Sequence, residues 1–247
     1  MIRLDGTKMS KSKGNLIAPE VHFETVGADG LRLFHLFAGP PADNLDWTDQ
    51  TDEVIEGCGR FLDRVWRLAE YDDVLFHDML DASDLEVTRV VHRTIDKVTS
   101  DIERWNYNTA VAALMELVNT LSKWSRSGDG AHRSTLDDAI DVLLLLLAPM
   151  APHVSAELWE SRHPDLDSVH LRPWPVADPE LVRVELETMV VQVNGKVRAR
   201  LQVVPTIGEA DATSLALGAP EVERVLAGRV PARVIARPPR LVNVIVE

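Results

Sequence analysis

The stretch Lys8-Met9-Ser10-Lys11-Ser12-Lys13-Gly14-Asn15 decides how this chain is interpreted. It packs three lysines, two serines and a loop-forming Gly-Asn pair into eight residues. Lysine ammonium groups supply charge, while hydroxyls and exposed backbone N–H groups supply directional hydrogen bonds, so such a segment can wrap a polyphosphate. The alternative is a frayed basic N-terminus. The order of the residues, more than their charge, favours the polyphosphate loop.

This order resembles the second signature motif of the class I aminoacyl-tRNA synthetases. In that family the motif is a loop that closes over ATP and steadies the departing pyrophosphate. The flanking residues are similar to the same family, and in its order: Asp5-Gly6, then residues 27–34, then residues 36–41 and then Leu45-Asp46-Trp47. Residues 191–198 resemble the C-terminal domain of the bacterial leucine-specific branch. The resemblance therefore runs from residue 1 to residue 247 and implies the C-terminal portion of such an enzyme.

The resemblance implies a site in the lysine loop. Lys8 and Lys11 are the candidate catalytic residues, with Lys11 as the principal phosphate contact, because a lysine beside the departing pyrophosphate stabilises the charge that develops there. Met9, Ser10 and Ser12 complete the implied ATP-binding loop. The implied substrates are ATP with its accompanying Mg²⁺ and tRNA-Leu. No protein-bound metal is expected, since the histidines and Cys58 lack metal-ligand spacing.

The rest of a class I active site is not found in the sequence. Such an enzyme also needs a nucleotide-binding domain with a His-Ile-Gly-His-type motif, and the eight histidines include no His-x-x-His. We therefore expect one half of an active site, whose partner is the missing N-terminal catalytic half. Alone, the chain is expected to be inactive.

Charge is unevenly distributed along the chain. The net charge is −13, yet residues 1–15 and residues 196–247 each carry +3, so the acidity lies between them. Because screening limits the reach of exposed charges to about 8–10 Å, local patches decide contact with RNA. Cys58 is the single cysteine, which excludes an intramolecular disulfide and suits a reducing cytoplasm. No apolar run approaches the length of a membrane span.

The centre of the chain shows apolar residues at helical spacing. Four long stripes and a short fifth one begin at Val54, Val87, Val111, Leu136 and Val154. Long amphipathic helices with short connections predict an antiparallel bundle. The run Ser83-Asp84-Leu85-Glu86 predicts a capping box at the start of the second helix.

The period changes after residue 188. Apolar and polar residues alternate around Asn194-Gly195, a favoured hairpin turn. Two short helices near residues 210–217 and 220–227 are followed by strands near 232–236 and 241–246. The predicted fold class is therefore mainly α: an antiparallel helical bundle, of the anticodon-binding type by resemblance, followed by a small α+β C-terminal domain.

The predicted domains follow from these patterns and from the resemblance. Residues 1–50 are the end of a catalytic domain, with the lysine loop and a connecting segment, and residues 51–162 form the bundle. Residues 163–187 contain four prolines, which predict a linker. Residues 188–247 form the small α+β domain.

Most of the RNA binding is predicted in this last domain. Lys196, Arg198 and Arg200 alternate on one hairpin strand, so we expect them on one face, with Val197 and Leu201 on the other. Three arginines bracket the final strands and extend that surface: Arg233, Arg237 and Arg240. The predicted tRNA-binding residues are Lys196, Arg198, Arg200, Arg237 and Arg240. The alternative is an ordinary solvated sheet face.

Tryptophans in the bundle offer a second way to contact RNA. Trp66, Trp105, Trp124 and Trp159 could stack on bases, although their positions on apolar stripes favour core packing. Three hypotheses for the chain remain: part of a leucine–tRNA ligase, a free-standing tRNA-binding protein, or a protein-docking helical bundle. The ATP loop favours the first over the second, because a protein that only binds RNA has no use for it.

Overall fold

Helical apolar stripes and alternating strands build two units, Met1–Val182 and Arg183–Glu247. The computed structural model describes residues 2–4, 6–126, 128, 130–183, 186–205 and 207–246, with the side chains of residues 2, 3 and 49 left out. The predicted fold class, mainly α with a small α+β part, is confirmed.

The first unit begins with a small sheet that carries the lysine loop. Its strands are β1 (Ile2–Leu4), β2 (Thr7–Lys8) and β3 (Leu45–Trp47), in the order β2-β1-β3. β1 runs antiparallel to β2 and parallel to β3. Between β2 and β3 lies helix α1 (Glu20–Phe37), which is interrupted at Gly27, where φ is 70° and ψ is 177°. A positive φ of this kind suits glycine, which has no Cβ.

The bundle follows β3. It consists of α2 (Asp49–Ala69), α3 (Ala82–Glu103), α4 (Tyr107–Trp124), α5 (Arg133–Leu147) and α6 (Pro152–Arg162). A parallel pair of two-residue strands, β4 (Phe76–His77) and β5 (Ala131–His132), joins the loops before α3 and α5. The predicted apolar stripes form a single buried core, which α1 also enters through Leu33 and Phe34.

The cap of α3 differs from the prediction. Asp81, rather than Ser83, is the N-cap: its side chain accepts hydrogen bonds from the amides of Ser83 (2.7 Å) and Asp84 (3.2 Å). In return the Asp84 carboxylate accepts the Asp81 amide at 2.8 Å, and its other oxygen accepts the His132 amide at 3.1 Å. Asp84 is buried, and its bond to the His132 amide explains why an aspartate stands at this position.

The segment predicted as a linker packs against the bundle for most of its length. It contains a 3-10 turn (Val169–Leu171), in which Val169 is buried, and a short helix, α7 (Pro179–Val182). The indole of Trp174 donates to the Thr99 hydroxyl at 2.8 Å, and the Asp178 amide donates to His92 at 2.9 Å. The division between the units falls after Val182. Prolines here exclude a long helix but not an ordered path.

The second unit is a four-stranded sheet with helices on one face. Its elements are β6 (Glu187–Val193), β7 (Lys196–Val203), α8 (Glu209–Leu217), α9 (Pro220–Leu226), β8 (Arg233–Arg237) and β9 (Leu241–Ile245). The strand order is β7-β6-β9-β8, with β6 and β9 parallel and the other pairs antiparallel. Asn194 (φ 49°) and Gly195 (φ 76°) make the predicted hairpin turn.

Candidate functional site

The lysine loop has a defined backbone path. Residues Lys11–Lys13 form one 3-10 turn that ends at Gly14 in the left-handed region. Asn15 closes the loop: its side-chain oxygen accepts the Ser10 amide at 2.9 Å, and its side-chain nitrogen donates to the Lys8 carbonyl at 3.2 Å. The hydroxyls of Ser10 and Ser12 are 3.3 Å apart. A single asparagine therefore joins the two ends of the loop.

The side chains of this loop divide into an anchor and an exposed group. Met9 is half-buried and packs against the bundle core. Lys8, Lys11 and Lys13 are exposed, and within the ranges that the structure describes none of them pairs with a carboxylate. Three exposed lysines on an anchored loop, without a carboxylate partner among the described residues, form a surface that suits a polyphosphate.

A β-bulge reorganises the cationic hairpin. Val191 pairs with Ala199 whereas Gln192 pairs with Val197, so Arg198 is the extra residue of β7. A bulge places two successive residues opposite one partner and interrupts the alternation of side chains. Val197 consequently lies on the open face, and 46% of its surface is exposed, which contradicts the prediction that it would fill the core face.

The same bulge corrects the expectation that three cations share one face. Directly paired residues project to the same side of a sheet. Lys196 pairs with Val193, which is buried against the helices, whereas Arg200 pairs with Val190 on the open side. Arg198 and Arg200 therefore share the open face, and Lys196 lies at the hairpin end on the helix side.

The opposite edge of the sheet carries two more arginines on the open face. Arg233 pairs with Ile245 and Arg237 with Leu241. Between them Val234 and Ala236 face the core, whereas Ile235 lies on the open face opposite Asn243. Arg240 is exposed in the turn that follows β8. The open face is thus flanked by cations on both edge strands, with half-buried side chains between them: Val190, Gln192, Leu241, Asn243 and Ile245. Arg233 lies on this face because it pairs with Ile245, in agreement with the expectation that it extends the cationic surface.

The tryptophans separate into packed and exposed positions. Trp124 and Trp159 are buried, and Trp66 packs against the core from a half-buried position, as apolar spacing predicts. Trp105 differs, with 65% of its surface exposed at the turn between α3 and α4 and a φ of 62°. A tryptophan in this region of φ is unusual.

The Cys58 thiol and one cluster of possible metal ligands have a structural explanation. Cys58 is buried, which raises its thiol pKa to about 11 and makes it a packed thiol rather than a nucleophile. In the described part of the chain, His77, Asp81 and Asp84 have ligand atoms within 4.8 Å of one another. Both carboxylates already cap α3, and hydrogen bonds from the Ser83 side chain and from nearby amides hold the pKa of Asp81 below its usual value.

A polar network around Arg162 was not predicted. Arg162, largely buried, donates to the Tyr71 hydroxyl at 2.8 Å, to Asp137 at 3.2 Å and to Asp141 at 3.2 Å. The His163 ring contacts Asp141 at 2.8 Å. These side chains line a cavity of about 520 Å³. The polar groups satisfy one another, and Arg162 also donates to the Ala69 carbonyl, so the network joins the end of α2 to α5 and α6.

No described helix has the length and apolar character needed to span a bilayer. A lysine loop preceding a helical bundle, with a cationic sheet in the second unit, is the arrangement of a class I tRNA ligase. Residues 84–211 match the family described as the anticodon-binding domain of tRNA ligase, and residues 1–48 match tRNA synthetases class I (I, L, M and V). The chain belongs to this family.

Within the family, the similarity is to the leucine enzymes. A leucine–tRNA ligase of Geobacter sp. (strain M21) is 39% identical over 255 residues, which cover 100% of this chain and 30% of the relative. A leucyl-tRNA synthetase of Agrobacterium radiobacter K84, solved in a ternary complex with tRNA and LeuAMS, is 31% identical with a TM-score of 0.75. That match covers 100% of this chain and 33% of the other. The chain thus spans about a third of these relatives.

Proposed function

We propose that this chain serves as part of an ATP-dependent leucine–tRNA ligase, which activates leucine and transfers it to tRNA-Leu. The chain supplies the loop that holds the ATP phosphates and surfaces that hold the tRNA. The observation that carries the proposal is the anchored loop with three exposed lysines at the head of a chain that is 39% identical over its whole length to a leucine–tRNA ligase. In this proposal the adenine and leucine pockets are supplied by an N-terminal catalytic half, in the part of such a ligase that this chain does not cover.

In this proposal Lys11 is the principal phosphate contact and Lys8 supports it. Both lysines are exposed, the hydroxyls of Ser10 and Ser12 lie 3.3 Å apart in the same loop, and Met9 anchors the backbone. Charge builds on the pyrophosphate as leucyl-AMP forms, so a lysine placed there acts mainly on the transition state. Mg²⁺ arrives with ATP and is part of the substrate.

The tRNA-binding residues in this proposal are those on and beside the sheet: Lys196, Arg198, Arg200, Arg237 and Arg240. Their exposure and the cationic rim of the open face support contact with phosphates. The acidic bundle contributes weaker contact. A cytoplasmic location is inferred from the single, buried and unpaired Cys58.

Replacement of Lys11 tests the assignment of the loop. In a complete ligase containing this segment, Lys11→Ala should lower the kcat of leucine-dependent ATP–pyrophosphate exchange by roughly 10²-fold, with little change in leucine binding. The matched control is Lys13→Ala, which removes the same charge from the same turn. Lys13 is not one of the residues assigned to contact ATP, so its loss should have a much smaller effect. Equal losses from the two variants, or no loss from Lys11→Ala, would remove Lys11 from this role.

A further inference from the structure

Asp29 connects the helix that follows the lysine loop to a distant helix of the bundle. Asp29 lies on α1 and is only 5% exposed. One of its carboxylate oxygens accepts hydrogen bonds from the amides of His153 and Val154, both at 2.8 Å. Its other oxygen contacts Nδ1 of the His153 ring, also at 2.8 Å. A single side chain therefore makes three contacts across 124 residues of sequence.

These contacts give α6 the cap that its own sequence lacks. The first amides of a helix have no partner within the helix and favour a negative charge. The residue before α6 is Ala151, which has no side-chain acceptor, and Pro152 occupies the first position. Asp29 thus serves as the N-cap of α6 from another helix. Loss of this carboxylate leaves two amides near the core without their acceptor.

Packing around Asp29 fixes the same part of α1. Val26 fills a notch between Gly30 and Gly59, where an added Cβ would come within 2.8 Å and 2.9 Å of Val26 atoms. The Arg32 guanidinium donates to the Pro149 carbonyl at 3.0 Å, just before α6. Asp29 is therefore the buried charge in a seam that joins α1 to α2 and α6.

The lysine loop is joined to this seam through the first part of α1. Only residues 16–19 separate Asn15, which closes the loop, from the start of α1. Asp29 lies two residues after Gly27, where the helix is interrupted. The bundle contacts on one side of that interruption thus limit where the loop on the other side can lie.

We propose that Asp29 is a positioning residue for leucine activation, which holds the ATP loop in a fixed place relative to the tRNA-binding bundle. The proposal rests on the proposed function for its consequence in catalysis. It goes beyond that function because Asp29 touches neither phosphate nor RNA. The carboxylate acts through α1, by fixing the helix from which the loop extends.

Hydrogen–deuterium exchange on the 247-residue chain tests the structural half of the proposal. Asp29→Ala should speed amide exchange at the start of α6 and also throughout residues 8–26, by about fivefold or more. Asp29→Asn should restore near wild-type exchange, because its amide oxygen can still accept the two amides of α6. Acceleration confined to the first turn of α6 would overturn the proposal.

The matched control is Asp84→Ala. Asp84 is also a buried aspartate that accepts two backbone amides, but it caps α3 against β5. Its removal should speed exchange around α3 and β5 and leave residues 8–26 as in wild type. If Asp84→Ala changed residues 8–26 as much as Asp29→Ala, the effect would be general destabilisation, and the proposal would be wrong.

Kinetics in a complete ligase test the catalytic half. Asp29→Ala should lower the kcat of leucine-dependent pyrophosphate exchange about tenfold, with the KM for leucine within about twofold of wild type, and Asp29→Asn should recover most of the rate. An unchanged kcat in folded Asp29→Ala protein would overturn the positioning role. If the wild-type enzyme showed no ATP–pyrophosphate exchange, the proposed function would fail. Hydrogen–deuterium exchange in the 247-residue chain would still test the structural role of Asp29.

Discussion

At the scale of single residues, neighbouring aspartates of α5 have opposite energetic roles. Asp137 accepts hydrogen bonds from the Tyr71 hydroxyl and from Arg162, and so stabilises a largely buried guanidinium. Asp138 is exposed, and within the described residues its carboxylate accepts no hydrogen bond from Tyr71 or Arg162. Partial burial, followed by the charges of Asp141 and Asp137, raises the pKa of Asp138 above its usual value.

These surroundings determine whether each substitution stabilises or destabilises the folded chain. A carboxyl group whose pKa is higher in the folded state destabilises that state as pH rises through this pKa. Asp138→Asn should therefore stabilise the chain slightly at pH 7, by less than about 1 kcal/mol because solvent screens the group. Asp137→Asn should destabilise it by about 1–2 kcal/mol, since it weakens bonds to a charged group.

Urea unfolding at pH 7 and at pH 4 measures both effects. The advantage of Asp138→Asn over wild type should shrink at pH 4, where the wild-type carboxyl takes up its proton. A destabilising Asp138→Asn at pH 7, or an Asp137→Asn variant as stable as wild type, would contradict the assigned roles.

The sequence predicts some of these residues and not others. The lysine loop can be recognised in the sequence because its residues are contiguous and their order is distinctive. The role of Asp29 cannot, since its partners lie 124 residues away and only the fold brings α6 to it. The N-cap of α3 was predicted at Ser83, two residues after its observed position at Asp81, because both residue types are acceptable N-caps. Contact with β5 selects Asp84 as the third helical residue.

At the scale of elements, the open face of the sheet is the RNA-binding surface that we propose. Arg198 and Arg200 flank it on β7, and Arg233 and Arg237 on β8. Phosphate contacts release counterions, so the affinity for tRNA should fall with salt at a log–log slope of about −0.7 to −0.9 per contact. Converting Arg198 and Arg200 to Gln together should make this slope less negative, by the amount expected for the loss of about two phosphate contacts.

A cation on the other face of the same unit serves as the control. Arg224→Gln on α9 removes one positive charge from the helix side. We expect it to change the slope less than Arg200→Gln does. Filter binding to tRNA between 50 and 200 mM salt gives these slopes. If Arg224→Gln and Arg200→Gln behaved alike, the open face would be only a solvated surface.

The boundary between the units predicts where a protease cuts. Residues 164–179 are held by bonds to α3 and by the buried Val169. We expect limited proteolysis to cut first near Arg183, where the contacts divide, because cleavage requires local opening. Mass spectrometry of the first fragments locates the cut. Early cleavage within residues 164–179 would instead support the linker that the prolines predict.

Secondary structure was more predictable than the details of register. Apolar spacing identified the helices of the bundle, and Asn194-Gly195 identified the hairpin, because both signals are local. The bulge at Arg198 is decided by the pairing of Val191 with Ala199, so alternation alone placed Val197 and Lys196 on the opposite faces from those observed. The packing of residues 163–182 likewise depends on contacts with α3, which no local pattern records.

At the scale of the whole molecule, the chain has basic ends and an acidic centre. Residues 1–15 and 196–247 each carry +3 within a net charge of −13. Each basic end has its own proposed anion, ATP phosphates at the loop and tRNA phosphates at the sheet. The chain spans about a third of its leucine–tRNA ligase relatives, so the proposed activity requires residues supplied by the other two-thirds.

The most direct test of the central claim joins this chain to the catalytic two-thirds of the Geobacter relative. The isolated chain should give no leucine-dependent ATP–pyrophosphate exchange, whereas the joined protein should give exchange and leucylation of tRNA-Leu. The same joined protein with Lys11→Ala should lose roughly 10²-fold in kcat for exchange. Exchange from the pure isolated chain, or none from a folded joined protein, would contradict the account.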